Sequence, residues 1–145
     1  MKSITIIFLF VFLFMQVLVA QNENQQKIDS LKHQLAIAAH DSLKVPLLLK
    51  LGKLSDVGEK MDYYKTAIAI SERINNKYLL IEALNDAATA YNFLGDISTA
   101  LEYFNRALIV AESTKDSLTI ADLLNNLAFM YNGQGDSDAA MDYNH

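Results

Sequence analysis

The 145-residue chain has no cysteine, a single proline and five glycines. The lack of cysteine excludes a disulfide scaffold, Cys-ligated zinc, iron–sulfur clusters, a thiol nucleophile and a lipid-modified N-terminal cysteine. Scarce proline and glycine, with 52% apolar residues, fit a helix-rich chain and not a turn-rich β protein. Positive charge is also short: twelve Lys+Arg stand against seventeen Asp+Glu, a net charge of −5. A surface that grips phosphates needs a basic excess, so nucleic acid is not the expected partner. The chain also lacks a P-loop, a dinucleotide glycine pattern, a zinc-protease motif and a serine elbow. No enzyme activity and no cofactor are therefore expected.

What is present begins with an apolar leader. Met1-Lys2-Ser3 is a short positive start, Ile4 to Met15 is apolar except for Thr5, and Val17-Leu18-Val19-Ala20 follows Gln16. A charged start, an apolar stretch and a small residue before a polar run form the pattern of a secretory signal. Residues 1–20 are read as that signal, with cleavage after Ala20, although Leu18 is not the usual small residue two places earlier. The alternative is an uncleaved anchor over residues 4–20, at the short limit for a bilayer span. Both readings place the remainder outside the cytoplasm, in the periplasm.

A forty-residue repeat organises the rest. Shifted by 40, Leu84-Asn85 falls on Leu124-Asn125, Ala88 on Ala128, Tyr91-Asn92 on Tyr131-Asn132, Gly95-Asp96 on Gly135-Asp136 and Ala100 on Ala140. In the other direction Tyr63-Tyr64 falls on Tyr103-Phe104, Ala67 on Ala107 and Glu72 on Glu112. Each unit reads as two helices. Ile81, Leu84, Ala87, Ala88 and Tyr91 form one apolar stripe at helical spacing, and Ile97, Ala100, Leu101, Phe104, Ala107, Leu108 and Ala111 form a second. Gly95 breaks the run between them and Asp96 caps the second helix. Ala88, Ala100 and Ala107 let two backbones approach while Tyr91 and Phe104 fill the space around them. A pair this short buries one face only, so it must stack on a neighbour.

The series Leu84…Ala88…Tyr91…Gly95-Asp96…Ala100…Phe104…Ala107, with its echo from Leu124 to Ala140, resembles the tetratricopeptide repeat. The period of 40 exceeds the usual 34 and is similar to the longer-helix variants, as is the string Leu124-Asn125-Asn126-Leu127-Ala128. The resemblance implies an all-α solenoid of antiparallel helix pairs, about two and a half repeats over 42–145. The units are 42–77, degenerate, then 78–117, then 118–145, incomplete. In the first unit Leu51 stands for the aromatic, Ser55 for the glycine and Lys60 for the small residue, and Pro46 lies near the start of its first helix. Residues 21–41 are expected to supply an N-terminal capping helix, with Ile28, Leu31, Leu35 and Ala38 on its apolar face. No polar capping helix follows the third unit, so the expectation is a piece of a longer protein, or an open end covered by a second chain.

The first helices of such a stack line its concave face. Their outward residues are Glu82, Asn85, Asp86, Thr89 and Asn92, then Asp122, Asn125, Asn126, Phe129 and Asn132. An asparagine amide both donates and accepts, so a row of them suits an extended chain held by its peptide groups; the resemblance implies the same role. These columns hold no Lys or Arg, unlike family members that clamp a terminal carboxylate, and their acids would accept a neutral or basic partner. The alternative for the same residues is a solvated rim. His33 and His40 share a helix face but find no third metal ligand. Asp136-Ser137-Asp138 with Asp142 lacks the spacing of a calcium loop and reads as a helix cap.

The expected partner is thus a protein or extended peptide, not nucleic acid, with membrane contact only through 4–20 if that segment is kept. The resemblance extends to the exported sensor regions of bacterial signalling proteins, through the leader and Ile28-Asp29-Ser30-Leu31-Lys32. An envelope scaffold that self-associates through an open face around Ala139, Ala140 and Met141 is the alternative.

Overall fold

The computed structural model describes residues 2–133. Six helices succeed one another there: α1 (Lys2–Ile37), α2 (Asp41–Leu54), α3 (Val57–Arg73), α4 (Lys77–Phe93), α5 (Ile97–Glu112) and α6 (Ser117–Gly133). Among the described residues there is no strand. The connections are two to four residues long, which turns each helix back against its predecessor. Every helix packs on the next in the chain, and α2 also reaches α4. First helices standing beside one another, each backed by its own second helix, make an α-solenoid.

Turn chemistry explains where the helices stop. Gly95 has φ +78°, its N–H bonds the Asn92 carbonyl and that of Asp96 bonds Tyr91. This closes α4 with a left-handed residue and the 6→1 and 5→2 bonds of a Schellman motif. Asp96 Oδ1 then accepts from the Thr99 N–H at 3.2 Å and caps α5. Asn75 repeats the device at the end of α3 with φ 52°, where Asn76 N–H reaches the Ser71 carbonyl and its side chain caps α4 through Leu79 N–H. Lys115, at φ 58°, occupies the same place before α6. There Asp116 accepts from Thr119 Oγ1 at 2.9 Å and from the N–H groups of Leu118 and Thr119. The Thr119 hydroxyl bond first, then these N–H groups, hold the Asp116 carboxyl below its ordinary value.

The core lies along the two stripes. Ile81, Leu84, Ala87 and Ala88 of α4 are buried with Ala100, Phe104, Ala107 and Ala111 of α5, while Tyr91, Ile97, Leu101 and Leu108 pack at the edge. Full burial of one such leucine contributes about 1.5–3 kcal/mol. Tyr91 stacks on Tyr103 with centroids 5.4 Å apart, and the Arg106 guanidinium lies over the Tyr103 ring while holding Glu72 of α3 at 2.8 Å.

The first pair is built differently. Leu51 is completely buried where the next unit has half-buried Tyr91. Gly52 lies against the ring of Tyr64, and a Cβ there would come within 2.8 Å of Cζ. Pro46 is the sixth residue of α2, just past the turn whose N–H groups have no helical partner, so one helical bond is missing. Asp41 of α2 pairs with Lys44 at 3.0 Å and Arg73 of α3 at 2.6 Å, and Lys44, then Arg73, lowers its carboxyl.

α1 begins within the apolar leader and continues without a break past Ala20 to Ile37. Ile28, Leu31 and Leu35, with Ala38 just beyond the helix, are half-buried, and Leu35 joins the core edge. From Phe12 to Val19 the apolar side chains are exposed. Among the described residues no helix is long and apolar enough to cross a membrane. The second half of the third unit, with Asp136, Ala139, Ala140, Met141 and Asp142, lies outside the described residues.

Candidate functional site

The concave cleft between α4 and α6 is lined by Tyr78, Ile81, Glu82, Asn85, Thr119, Asp122, Leu123 and Asn126, with a volume of about 210 Å³. Four of the ten groove candidates meet in it: Glu82, Asn85, Asp122 and Asn126. They arrive because residues three or four apart fall on one side of a helix, while another side of each helix carries the buried stripe.

At the centre of the cleft Asn126 Nδ2 donates to Asn85 Oδ1 at 2.9 Å. The bond joins residues 41 apart in the chain, so it is a link between repeats. Asn85 consequently pairs with Asn126, whereas Asn125, the residue 40 on from Asn85, is exposed. The pair still has a free amide N–H on Asn85 and carbonyl lone pairs on Asn126. Together these match the C=O and N–H of one peptide unit.

The other candidates are distributed around this pair. Glu82 and Asp122 are exposed and, among the described residues, take part in no ion pair or hydrogen bond. Thr89 is half-buried, its hydroxyl donating to the Asn85 carbonyl at 2.9 Å. Phe129 is 75% exposed although it lies on the concave helix α6. Asn92 is half-buried and Asn132 exposed, and neither lines the cleft.

Asp86 has a structural role. Its Oδ2 lies 2.7 Å from Lys53 Nζ of α2, in a charge pair whose geometry falls short of a hydrogen bond. It faces the first repeat, and beside it Tyr64 is pushed up to about 12, mainly by burial and secondarily by the Asp86 charge. Lys53, contributed by the degenerate unit, thus pairs with an acid of the next unit. The forty-residue register hides it, because the corresponding residue of the next unit is Phe93.

Tyr78, Ile81, Thr119 and Leu123 were not among the groove candidates. Tyr78 was visible as an aromatic residue one turn before Glu82, outside the buried stripe. Among the described residues no three His, Cys, Asp or Glu side chains gather as a metal site, and His33 and His40 are exposed on α1 and just beyond it.

The architecture is that of a tetratricopeptide-like α-solenoid, a class whose helix pairs present a shared inner surface to other proteins. The sequence agrees: residues 79–144 match the family model described as tetratricopeptide repeat, which supports that family for the second and third units. No curated protein matches the chain. Repeats of this kind are protein-interaction modules and typically non-catalytic.

Proposed function

We propose that the chain is an exported binding module that holds an extended segment of another protein along the α4–α6 face, as the sensory or scaffolding part of a larger signalling protein. The observation that carries the binding role is the Asn85–Asn126 pair, set between exposed Glu82, Asp122 and Phe129. It leaves amide N–H and carbonyl groups of two cleft-lining residues unused by the protein. Export is supported by the apolar run over 4–20 with its lysine start. The signalling context is supported by the resemblance of the leader and of Ile28-Asp29-Ser30-Leu31-Lys32 to sensor regions.

The test is site-specific photocrosslinking in cells, with the probe at Thr89 or Phe129 of the inner helices and at Ile109, which is exposed on α5. Adducts from the inner positions alone are expected. Equal labelling from Ile109 rejects the groove. A reporter enzyme active only outside the cytoplasm, fused after His145, is expected to be active; inactivity rejects export. The scaffold alternative, self-association through Ala139, Ala140 and Met141, concerns residues outside those described, and no observation favours it.

A further inference from the structure

We infer that the segment held in this groove carries a Lys or Arg three positions away from an apolar residue. The inference rests on the groove reading above and deepens it. Asp122 and Phe129 are seven residues apart on α6, two turns, so they lie on one line along the helix. Their separation is about 10.5 Å at about 1.5 Å per residue. A segment in the extended polyproline II conformation advances about 3.1 Å per residue with about three residues per turn, so side chains three apart point the same way and span about 9.3 Å, close to that distance. At one end of the line stand Glu82 and Asp122, both without a partner among the described residues, with Tyr78 beside them in the same cleft. The carboxylates fit a cationic head, and the Tyr78 ring fits the aliphatic stem that Lys and Arg lay over apolar surface. At the other end Phe129 offers an exposed ring to an apolar side chain. Between them the Asn85–Asn126 pair meets the backbone of the intervening residues.

The charge of the chain favours the same occupant. Residues 21–73 hold eight Lys+Arg and seven Asp+Glu, whereas residues 74–145 hold three and ten. One of those three, Arg106, is engaged by Glu72. No lysine or arginine lines the cleft. The half of the chain that contains the cleft therefore attracts a basic segment and repels an acidic one. The chain's own Asp136, Asp138 and Asp142 have the wrong charge to fill it.

The test is selection of twelve-residue peptides from a random display library by the full chain in detergent micelles. The selection is run in parallel on the Glu82→Gln/Asp122→Asn and Phe129→Ala variants, all three checked for equal helicity. Selected peptides are expected to place Lys or Arg three positions from an apolar residue. Their affinity is expected to fall about three- to fivefold on loss of the two carboxylates, as for exposed ion pairs, with the loss shrinking as salt is raised. Selected peptides without a basic residue, or with another spacing, overturn this inference while leaving the groove reading intact. Peptides that bind all three proteins equally, or no selected peptide at all, overturn both. Concentration-dependent dimerisation of the unliganded chain that the double substitution abolishes would make a second copy the occupant and also overturn the inference.

Discussion

The two helix pairs α2–α3 and α4–α5 solve the same packing problem with different chemistry. In α4–α5 the buried small residues are alanines, Ala87 and Ala88 on one helix and Ala100, Ala107 and Ala111 on the other, with Phe104 and the Tyr91–Tyr103 stack as the bulky residues beside them. In α2–α3 the small residue is Gly52 and the filler is Tyr64, whose ring occupies the room that a side chain at 52 would need. The turns diverge too. Gly95-Asp96 closes one helix and caps the next, whereas Ser55 is buried with no partner for its hydroxyl and Asp56 makes no side-chain capping bond. The first pair compensates with ion pairs, Asp41 to Lys44 and Arg73, and Lys53 to Asp86. A repeat can therefore lose its consensus residues and keep its fold, provided the small-against-large contact survives at some other position.

The comparison can be broken most strongly at the aromatics. Phe104→Ala removes a fully enclosed ring and is expected to cost about 3–5 kcal/mol, read as a lower denaturant midpoint by circular dichroism. A loss below about 1 kcal/mol would mean that α4–α5 does not depend on this filler. Gly52→Ala tests the other pair: with the Tyr64 ring in the way, overpacking should cost about 1–3 kcal/mol, although alanine ordinarily favours a helix. An unchanged or raised midpoint would show that Tyr64 moves aside freely. The caps sharpen the contrast at smaller scale. Asp96→Ala is expected to cost about 0.5–2 kcal/mol, while the corresponding Asp56→Ala should lie near zero, because only Asp96 holds an amide. Equal losses would erase the distinction.

The smallest effect is one of pH. Tyr64 titrates at about 12 in the folded chain instead of 10.0, so folding favours the neutral phenol. The contribution is complete below the ordinary value of 10.0 and disappears as pH rises through about 12. An absorbance titration should show Tyr64 ionising late, alongside Tyr103, which burial also raises, and Asp86→Asn should move the Tyr64 step only slightly, because burial is the larger cause. A large downward move would make the carboxylate dominant.

Legibility differed along the chain for physical reasons. The second unit was readable almost residue by residue, since alanine, aromatic and glycine positions carry steric requirements that leave a mark in the sequence. The degenerate unit was readable as helices through Met61, Tyr64, Ala67 and Ile68, but its Gly52–Tyr64 interlock was not. Gly52 takes the register position of Asn92, and only the packed pair shows what the missing Cβ allows. In the groove the sequence placed Glu82, Asn85, Asp122 and Asn126 on inner helices. It also aligned Asn85 with Asn125, whereas the residue that meets Asn85 is Asn126. Superhelical stacking offsets one helix against the next, so equal position in the repeat is not equal position in space. The ion pair of Asp86 was hidden for a related reason, its partner Lys53 lying in a unit whose register had drifted.

Helix number, the amphipathic stripes, the turn residues Gly95 and Asp96 and the lack of cationic groups in the repeat columns were all determined by the order of amino acids, because each depends on spacing within one element. Which asparagines bond across repeats, and which acid is paired and which stays open, were decided only when the helices packed. Those properties depend on the offset and angle between neighbouring helices, set by the summed shapes of many buried side chains and by no single position along the chain.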